Sequence, residues 1–160
     1  MSWALLPRVV LDDRVRDLCP RPYAGHPKGC PNFGKRASCP PRAPRFERCF
    51  STSRAWCIWN EFDFGAHIAR MREKHPEWSE RQLACCLYWQ AGARKQLESE
   101  IQKFYREHPG LWLVRCPEAM GVDVTGTMRL VGVELEWPPR ERALQVALAC
   151  ARVGDSAPCS

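Results

Sequence analysis

The chain has 160 residues, ten of them cysteine, and carries 24 lysines and arginines against 18 aspartates and glutamates. With 45% hydrophobic residues it can bury the core of one globular domain. No apolar run approaches the ~18 residues of a membrane span, and the first apolar stretch is interrupted too early for a secretory signal. We therefore expect a cytoplasmic protein, and we favour metal-binding or reactive thiols over a disulfide-stapled secreted module.

The positive charge is confined to the first third of the chain. Residues 1–50 hold 10 basic and 4 acidic side chains, whereas residues 51–160 hold 14 of each. The same segment holds eight of the 14 prolines, and residues 18–44 show no helical or strand periodicity. A stretch of this length without secondary structure is usually functional. We expect loop 18–44 to carry the site of a single domain over residues 1–153, followed by a mobile tail at 154–160.

Outside that loop, the predicted elements are those of an α+β protein with a small mixed sheet and one long helix. Residues 9–11 form a candidate short strand, and the aromatic-rich alternation over residues 55–64 predicts a second strand. A short helix is expected over residues 65–74, ending before His75-Pro76.

The long helix is expected to begin after Ser79. This serine is a good N-cap, and Gln82 three residues later completes a capping-box pattern. A helical apolar stripe then runs from Leu83 to about Glu107, which corresponds to a helix of roughly 40 Å. The His-Pro-Gly sequence at 108–110 ends it.

The C-terminal third predicts shorter elements. Residues 111–115 are typical of a buried strand, and residues 118–130 of helix broken at its two glycines. Residues 131–137 alternate as a strand does. Residues 140–150 are ambiguous between a helix and a last strand.

Four cysteines are followed directly by proline: Cys19, Cys30, Cys39 and Cys116. Chance would give about one such pair with 14 prolines in 160 positions. A residue before proline is held in the extended region, which restricts the direction of its side chain. The excess therefore separates four candidate metal ligands from the six remaining cysteines, which are Cys49, Cys57, Cys85, Cys86, Cys150 and Cys159.

The spacing of the candidate ligands favours an iron–sulfur cluster. Structural zinc usually takes close pairs such as C-x2-C, whereas ten residues separate Cys19 from Cys30 and eight separate Cys30 from Cys39. A loop with such open spacing can wrap around a [4Fe–4S] cluster. Zinc, and the absence of any metal, remain the alternatives.

The rest of the loop suits an anionic centre. Its glycines, among them Gly29 and Gly34, permit close backbone approach or positive φ. Lys28, Lys35 and Arg36 place positive charge beside the cysteines. His26 is a further candidate ligand, although a loop histidine hydrogen-bonded to backbone is the more common case.

The two motif blocks Cys39-Pro-Pro and Glu118-Ala-Met-Gly-Val-Asp-Val resemble those of a family of small bacterial and archaeal "predicted metal-binding proteins". The family is cysteine-rich and uncharacterised, so the resemblance implies metal or cluster binding and no particular reaction. It covers some 50–60 residues. In the family further cysteines usually precede the late block, whereas here only Cys116 does, so the number of protein ligands stays open.

Other residues have a functional and a structural interpretation. The fourth ligand could be Cys86 or a non-protein group instead of Cys116, although Cys86 also suits a packed thiol. Glu118 could be an acid, a base or a ligand, whereas charge at a helix N-terminus is the common role of such a residue and of Asp123. His67 is more typical of a structural histidine than of a catalyst.

The basic first third also permits nucleic-acid binding. Arg42, Arg45 and Arg48 alternate with Phe46 and Phe50, which could stack on bases. The same basic residues could instead form a solvent-exposed surface whose positive charge balances that of an anionic metal cluster, and we prefer that explanation.

These observations predict a cytoplasmic [4Fe–4S] protein with Cys19, Cys30, Cys39 and Cys116 as ligands. Its partner would be a small-molecule substrate or a redox protein. An open iron site would permit a small-molecule or thio-nucleobase reaction. The alternative is a zinc-stabilised nucleic-acid-binding module without catalysis. Neither a Gly-x-Ser-x-Gly nor a Walker A motif is present, and no membrane partner is expected.

Overall fold

The computed structural model describes residues 2–23 and 26–154. Its centre is a four-stranded sheet in the order β1-β2-β4-β3. The strands are Trp3–Leu5 (β1), Phe50–Asp63 (β2), Trp112–Val114 (β3) and Arg142–Arg152 (β4). All three pairings are antiparallel. The predicted α+β class is therefore confirmed, whereas the expected mixed sheet is an antiparallel one.

Helices precede, follow and connect the strands. The α-helices are Phe46–Cys49 (α1), Phe64–Lys74 (α2), Glu80–Leu83 (α3), Gln90–Glu107 (α4) and Val124–Arg129 (α5). The 3₁₀ helices are Asp13–Leu18, Cys86–Tyr88 and Pro117–Met120. In the part of the chain that the structure describes, no helix is both long and apolar enough to cross a membrane.

The two central strands divide the core into two layers. Their register pairs Cys57 with Leu148 on one face of the sheet and Ile58 with Ala147 on the other. The first face packs against the N-terminal segment, α1 and α5. The second face packs against α4, whose Phe104 is completely buried. Helix α4 and the cysteine-rich loop are therefore attached to a sheet that is buried on both faces.

Several predicted elements are confirmed. Strand β2 contains residues 55–63 of the predicted strand, and β3 lies within 111–115. Helix α2 ends at Lys74, before His75-Pro76. The Ser79–Gln82 capping box is formed at both of its hydrogen bonds.

The long helix that we predicted from Ser79 is interrupted. Helix α3 ends at Leu83, a 3₁₀ helix follows, and α4 begins only at Gln90. Between them the Trp89 indole N–H donates to the Ala84 carbonyl at 3.3 Å, and its ring lies 5.6 Å from that of Phe62. Burial of this tryptophan outweighs continuation of the helix.

Three further expectations were wrong. The first strand lies at Trp3–Leu5, whereas Leu11 of the predicted strand forms only an isolated bridge with Val122. Residues 131–137 form no strand, although Val133 and its apolar neighbours pack on the core. Gly126 lies inside α5 and does not break it. In residues 131–137 the alternation of apolar residues correctly indicated which side chains are partly buried. A strand would also need the edge of a neighbouring strand to pair with.

Two buried thiols make stability depend on pH. Burial raises the pKa of Cys57 from the ordinary 9.0 to about 11, and that of Cys150 to about 12. As the pH rises above 9, the unfolded chain loses these protons first, so the free energy of unfolding should fall. Cys150 alone should account for about 4 kcal/mol between pH 9 and pH 12. Denaturant unfolding in reductant across this range measures the slope.

The matched variants are Cys150→Ala and Cys85→Ala. The first should show a shallower fall of unfolding free energy with pH than the wild type, despite a lower stability at pH 8 from the cavity it leaves. The second removes a thiol outside the sheet and should retain the wild-type slope. If the unfolding free energy of Cys150→Ala fell with pH as steeply as that of the wild type, burial of the Cys150 thiol would not be the cause of the pH dependence.

Candidate metal centre

The four cysteines that precede proline come from three separate parts of the chain. Cys19 follows the 3₁₀ helix Asp13–Leu18 and ends it. Cys30 and Cys39 lie in the loop, and Cys116 lies between β3 and the next 3₁₀ helix. All four are free thiols, and Cys116 is the most exposed of them.

A short backbone pairing brings the first and last of these segments together. The Asp12 N–H donates to the Gly121 carbonyl at 2.8 Å, and the Asp123 N–H donates to the Val10 carbonyl at 2.9 Å. The approach is close, since a Cβ on Gly121, whose φ is +89°, would lie 2.8 Å from an Asp13 carboxylate oxygen. The 3₁₀ helices that precede Cys19 and follow Cys116 therefore lie against each other.

A second backbone contact holds Cys30 beside Cys19. The Cys30 N–H donates to the Cys19 carbonyl at 2.7 Å. Gly29 makes this contact possible, because its φ is +78° and a Cβ there would lie 2.6 Å from the backbone of Pro20. The loop therefore doubles back on itself at these two cysteines.

Cys39 is tied to the same region through carbonyl groups that follow it. The Arg16 guanidinium donates to the carbonyls of Pro41 at 3.2 Å and Ala43 at 3.0 Å. The Ala43 N–H donates in turn to the Cys39 carbonyl at 3.0 Å. An ion pair between Arg45 and Asp13 adds a further link to the first 3₁₀ helix.

The electrostatics of the thiols show that they are neighbours. Burial raises the pKa of Cys19, and the nearby Cys30 and Cys39 thiolates and the Glu118 carboxylate raise it further. Burial likewise raises the pKa of Cys116, followed by Glu118, Cys39 and Cys30. Cys30 and Cys39 therefore lie within electrostatic range of both Cys19 and Cys116, and we refer to these four residues as the cysteine cluster.

Glu118 lies beside this cluster. Its side chain is open to solvent, yet protein surrounds the carboxyl on most sides, and that burial raises its pKa. The two observations agree if the carboxyl lies in a recess. Glu118 in turn raises the pKa of Cys19 and Cys116, so it lies within electrostatic range of both thiols.

Sequence analysis missed two residues at the site. Arg94, on α4, lowers the pKa of both Cys116 and Tyr23. Tyr23 lies close to Cys30, whose thiolate is the second cause, after burial, of its raised pKa. No local pattern marks either residue, because α4 reaches the cysteines only through its packing on the sheet.

The alternative fourth ligand, Cys86, lies at the border of the cluster. It is buried on the 3₁₀ helix before α4, and its charge acts on Tyr23. After burial, the causes that raise the pKa of Cys19 and Cys116 are Cys30, Cys39 and Glu118, and Cys86 is not among them. Cys116 is therefore the better-placed partner of the loop cysteines.

The thiols do not form a cage for a single ion. Across residues 2–23 and 26–154, no three His, Cys, Asp or Glu side chains are grouped closely enough to hold one metal ion. Tetrahedral zinc with 2.3 Å bonds needs thiolates about 3.8 Å apart. The charges of the four cysteines influence one another, but their side chains are not grouped as closely as a single zinc ion requires.

The remaining candidates take structural roles. His26 exchanges backbone hydrogen bonds with Tyr23, and their rings lie 4.8 Å apart. Asp123 caps α5 through a 2.9 Å bond from the Gly126 N–H. His67 is buried against Phe62 and Phe64, and its Nε2 has no hydrogen-bond partner among the described residues.

The pattern of aromatic residues that suggested base stacking is contradicted. Phe46 and Phe50 are buried, at 0% and 7% exposure, in the first core layer. Arg45 between the arginines pairs with Asp13. Phe46 cannot stack on a nucleobase without leaving the core, and Phe50 exposes only a small part of its surface.

Comparison with known proteins returned no family model, no curated protein and no solved structure that matches this chain.

Gly29 and Gly34 provide a matched test of this geometry. Both have positive φ, at +78° and +71°, so alanine strains both positions similarly. Only Gly29 also meets the Cys19-Pro20 backbone, whereas nothing lies within 4 Å of a Cβ on Gly34. Gly29→Ala should therefore break the bond from the Cys30 N–H to Cys19. Amide hydrogen exchange at Cys30 should accelerate in Gly29→Ala and change much less in Gly34→Ala, and similar acceleration in both variants would refute the close contact.

Proposed function

We propose that this protein binds a [4Fe–4S] cluster through Cys19, Cys30, Cys39 and Cys116. The observation that carries the proposal is that the segments of these cysteines contact one another: the Cys30 N–H donates to the Cys19 carbonyl, and the 3₁₀ helix before Cys19 lies against the one after Cys116. The cysteines that precede proline are the ones that converge, whereas Cys57 and Cys150 lie in the sheet core. Two independent properties, sequence context and position, thus select the same four residues.

The donor set fits a thiophilic metal. Thiolates are soft ligands that select iron–sulfur clusters and zinc over hard cations such as magnesium. Because burial and neighbouring negative groups raise the pKa of Cys19 and Cys116, their ionised thiolates would need a compensating cation. Iron coordinated by the sulfurs would supply it.

The scale of the arrangement favours a cluster over one zinc ion. No three ligand side chains of the described residues are grouped closely enough for a single ion, and eight and ten residues separate the candidate ligands in the loop. A cluster separates its thiolates further than a single ion does, which suits both properties. The resemblance to the metal-binding family agrees with either metal.

A cluster held here would supply one-electron transfer or, with an open iron position, Lewis acidity. The chain's own residues would tune it. Arg94 and Arg16 place positive charge beside the thiolates, which would raise the reduction potential of the anionic cluster by stabilising its more negative state. A reducing compartment such as the cytoplasm would keep these thiols available for iron.

Metal and sulfide analysis of protein purified without oxygen tests the proposal. The wild type should be brown, absorb broadly near ~400 nm, and contain about four irons and four acid-labile sulfides per chain. Cys39→Ala removes one thiol of the cluster and should lose most of the iron. Cys85→Ala is the matched control, since Cys85 is a free cysteine with no place among the converging thiols, and it should retain the iron.

Three results would contradict the proposal. A colourless protein with one zinc and no sulfide would favour the zinc alternative. Equal iron loss in Cys39→Ala and Cys85→Ala would show that the cysteines were sorted wrongly. Loss of iron in Cys86→Ala together with retention in Cys116→Ala would replace the proposed fourth ligand.

A further inference from the structure

An open cleft lies beside Cys116, between β3 and the last part of the cysteine-rich loop. It has a volume of about 380 Å³, which is within the range of small-molecule sites. The loop contributes Ala37, Ser38, Ala43 and Pro44 to one side of it. The other side is formed by β3, by Cys116 itself and by the end of β4.

The walls of this cleft are largely apolar and partly aromatic. Phe50, Trp112, Val114 and Met120 line it. Trp112 is 52% exposed although it is a large apolar residue on an edge strand. An accessible aromatic surface next to buried apolar side chains is the usual lining of a pocket for a flat organic ligand.

One positive charge in the cleft is held in a defined position. The Arg152 guanidinium lies 4.1 Å from the centroid of the Trp112 ring, in a cation–π contact. Among the described residues no carboxylate pairs with it. Arg115, which also lines the cleft, is instead neutralised by Glu98 through two 3.0 Å hydrogen bonds. As far as the described residues 2–23 and 26–154 go, the cleft therefore offers one positioned cation without a counter-ion, which complements an anion.

The polar groups of the cleft adjoin the candidate metal centre. The Cys116 thiol lines the cleft directly, and Ser38 is the residue before Cys39. A ligand in the cleft would thus lie against one of the four converging cysteines and beside another. Only the sheet edge and the loop together create this proximity.

We propose that the cleft binds a small aromatic or heteroaromatic carboxylate, with the ring among Phe50, Trp112 and Met120 and the carboxylate on Arg152. The ring then lies beside Cys116. The role of this molecule as a substrate or effector of the metal centre rests on the proposed function. Its binding to the cleft does not, because the apolar walls and Arg152 are present whether or not a metal is bound.

Binding of 2-naphthoate and of its neutral amide, 2-naphthamide, to the anaerobically purified full chain tests the inference. Calorimetric titration should give one saturable site for the carboxylate and at least about tenfold weaker binding of the amide, since a charge-assisted hydrogen bond is lost. Arg152→Gln should abolish that preference. Trp112→Ala should weaken both probes about tenfold, because an aromatic wall is removed.

Arg142→Gln is the matched control. Arg142 is an exposed arginine at the other end of β4 and pairs with Glu61, so its loss should leave the preference for the carboxylate unchanged. Thermal unfolding confirms that each variant folds. Equal affinity for the two probes, the absence of saturable binding, or equal effects of Arg142→Gln and Arg152→Gln would overturn the inference.

The spectrum and the metal content separate this inference from the proposed function. If iron is present, 2-naphthoate should change the visible or electron paramagnetic resonance spectrum, and an unchanged spectrum at saturation would overturn the position beside Cys116. If the protein contains iron but does not bind 2-naphthoate, the inference about the cleft is overturned and the proposed metal centre is not. Probe binding that depends on Arg152 in a protein that takes up no iron supports the cleft and overturns the metal centre.

Discussion

The contact on which the site depends is the pairing of two short backbone segments far apart in the sequence. Residues 10–12 exchange hydrogen bonds with residues 121–123. Each segment continues into a 3₁₀ helix next to a candidate ligand, Cys19 on one side and Cys116 on the other. Gly121 allows the approach, because any side chain there would meet Asp13. Without this pairing the cysteine-rich loop would have no fixed position relative to the end of β3.

Gathering ionisable thiols in this way has an energetic cost. Burial raises the pKa of Cys19 and Cys116, and the neighbouring negative groups raise both pKa values further. The arginines at 16 and 94 oppose this repulsion from two sides of the cluster. In our proposal a bound, positively charged iron core would remove most of this repulsion. The repulsion between the ligands would therefore favour metal binding. The adjoining cleft adds the positive charge of Arg152, which pairs with no carboxylate in the described part of the chain, beside a space large enough for an organic anion.

Predictions from sequence succeeded where the signal is local. The capping box at Ser79 and Gln82 is formed, and α2 ends before proline as predicted. Both depend on contacts within four residues along the chain. They failed where distant residues decide the outcome. Trp89 interrupts the long helix because it packs on Phe62, and Phe46 is in the core although its neighbours are arginines.

The sequence by itself determined the α+β class and, through the prolines that follow them, which four cysteines differ from the rest. Both properties depend on residues close together in the sequence, since the periodicity of apolar residues and the conformational restraint of proline extend over only a few positions. Only the tertiary structure decided that the segments carrying these cysteines contact one another, that Arg94 and Tyr23 lie near them, and that Cys116 lines a cleft with Arg152. These residues belong to segments up to about 130 positions apart, and only the packing of the loop and α4 around one antiparallel sheet brings them together.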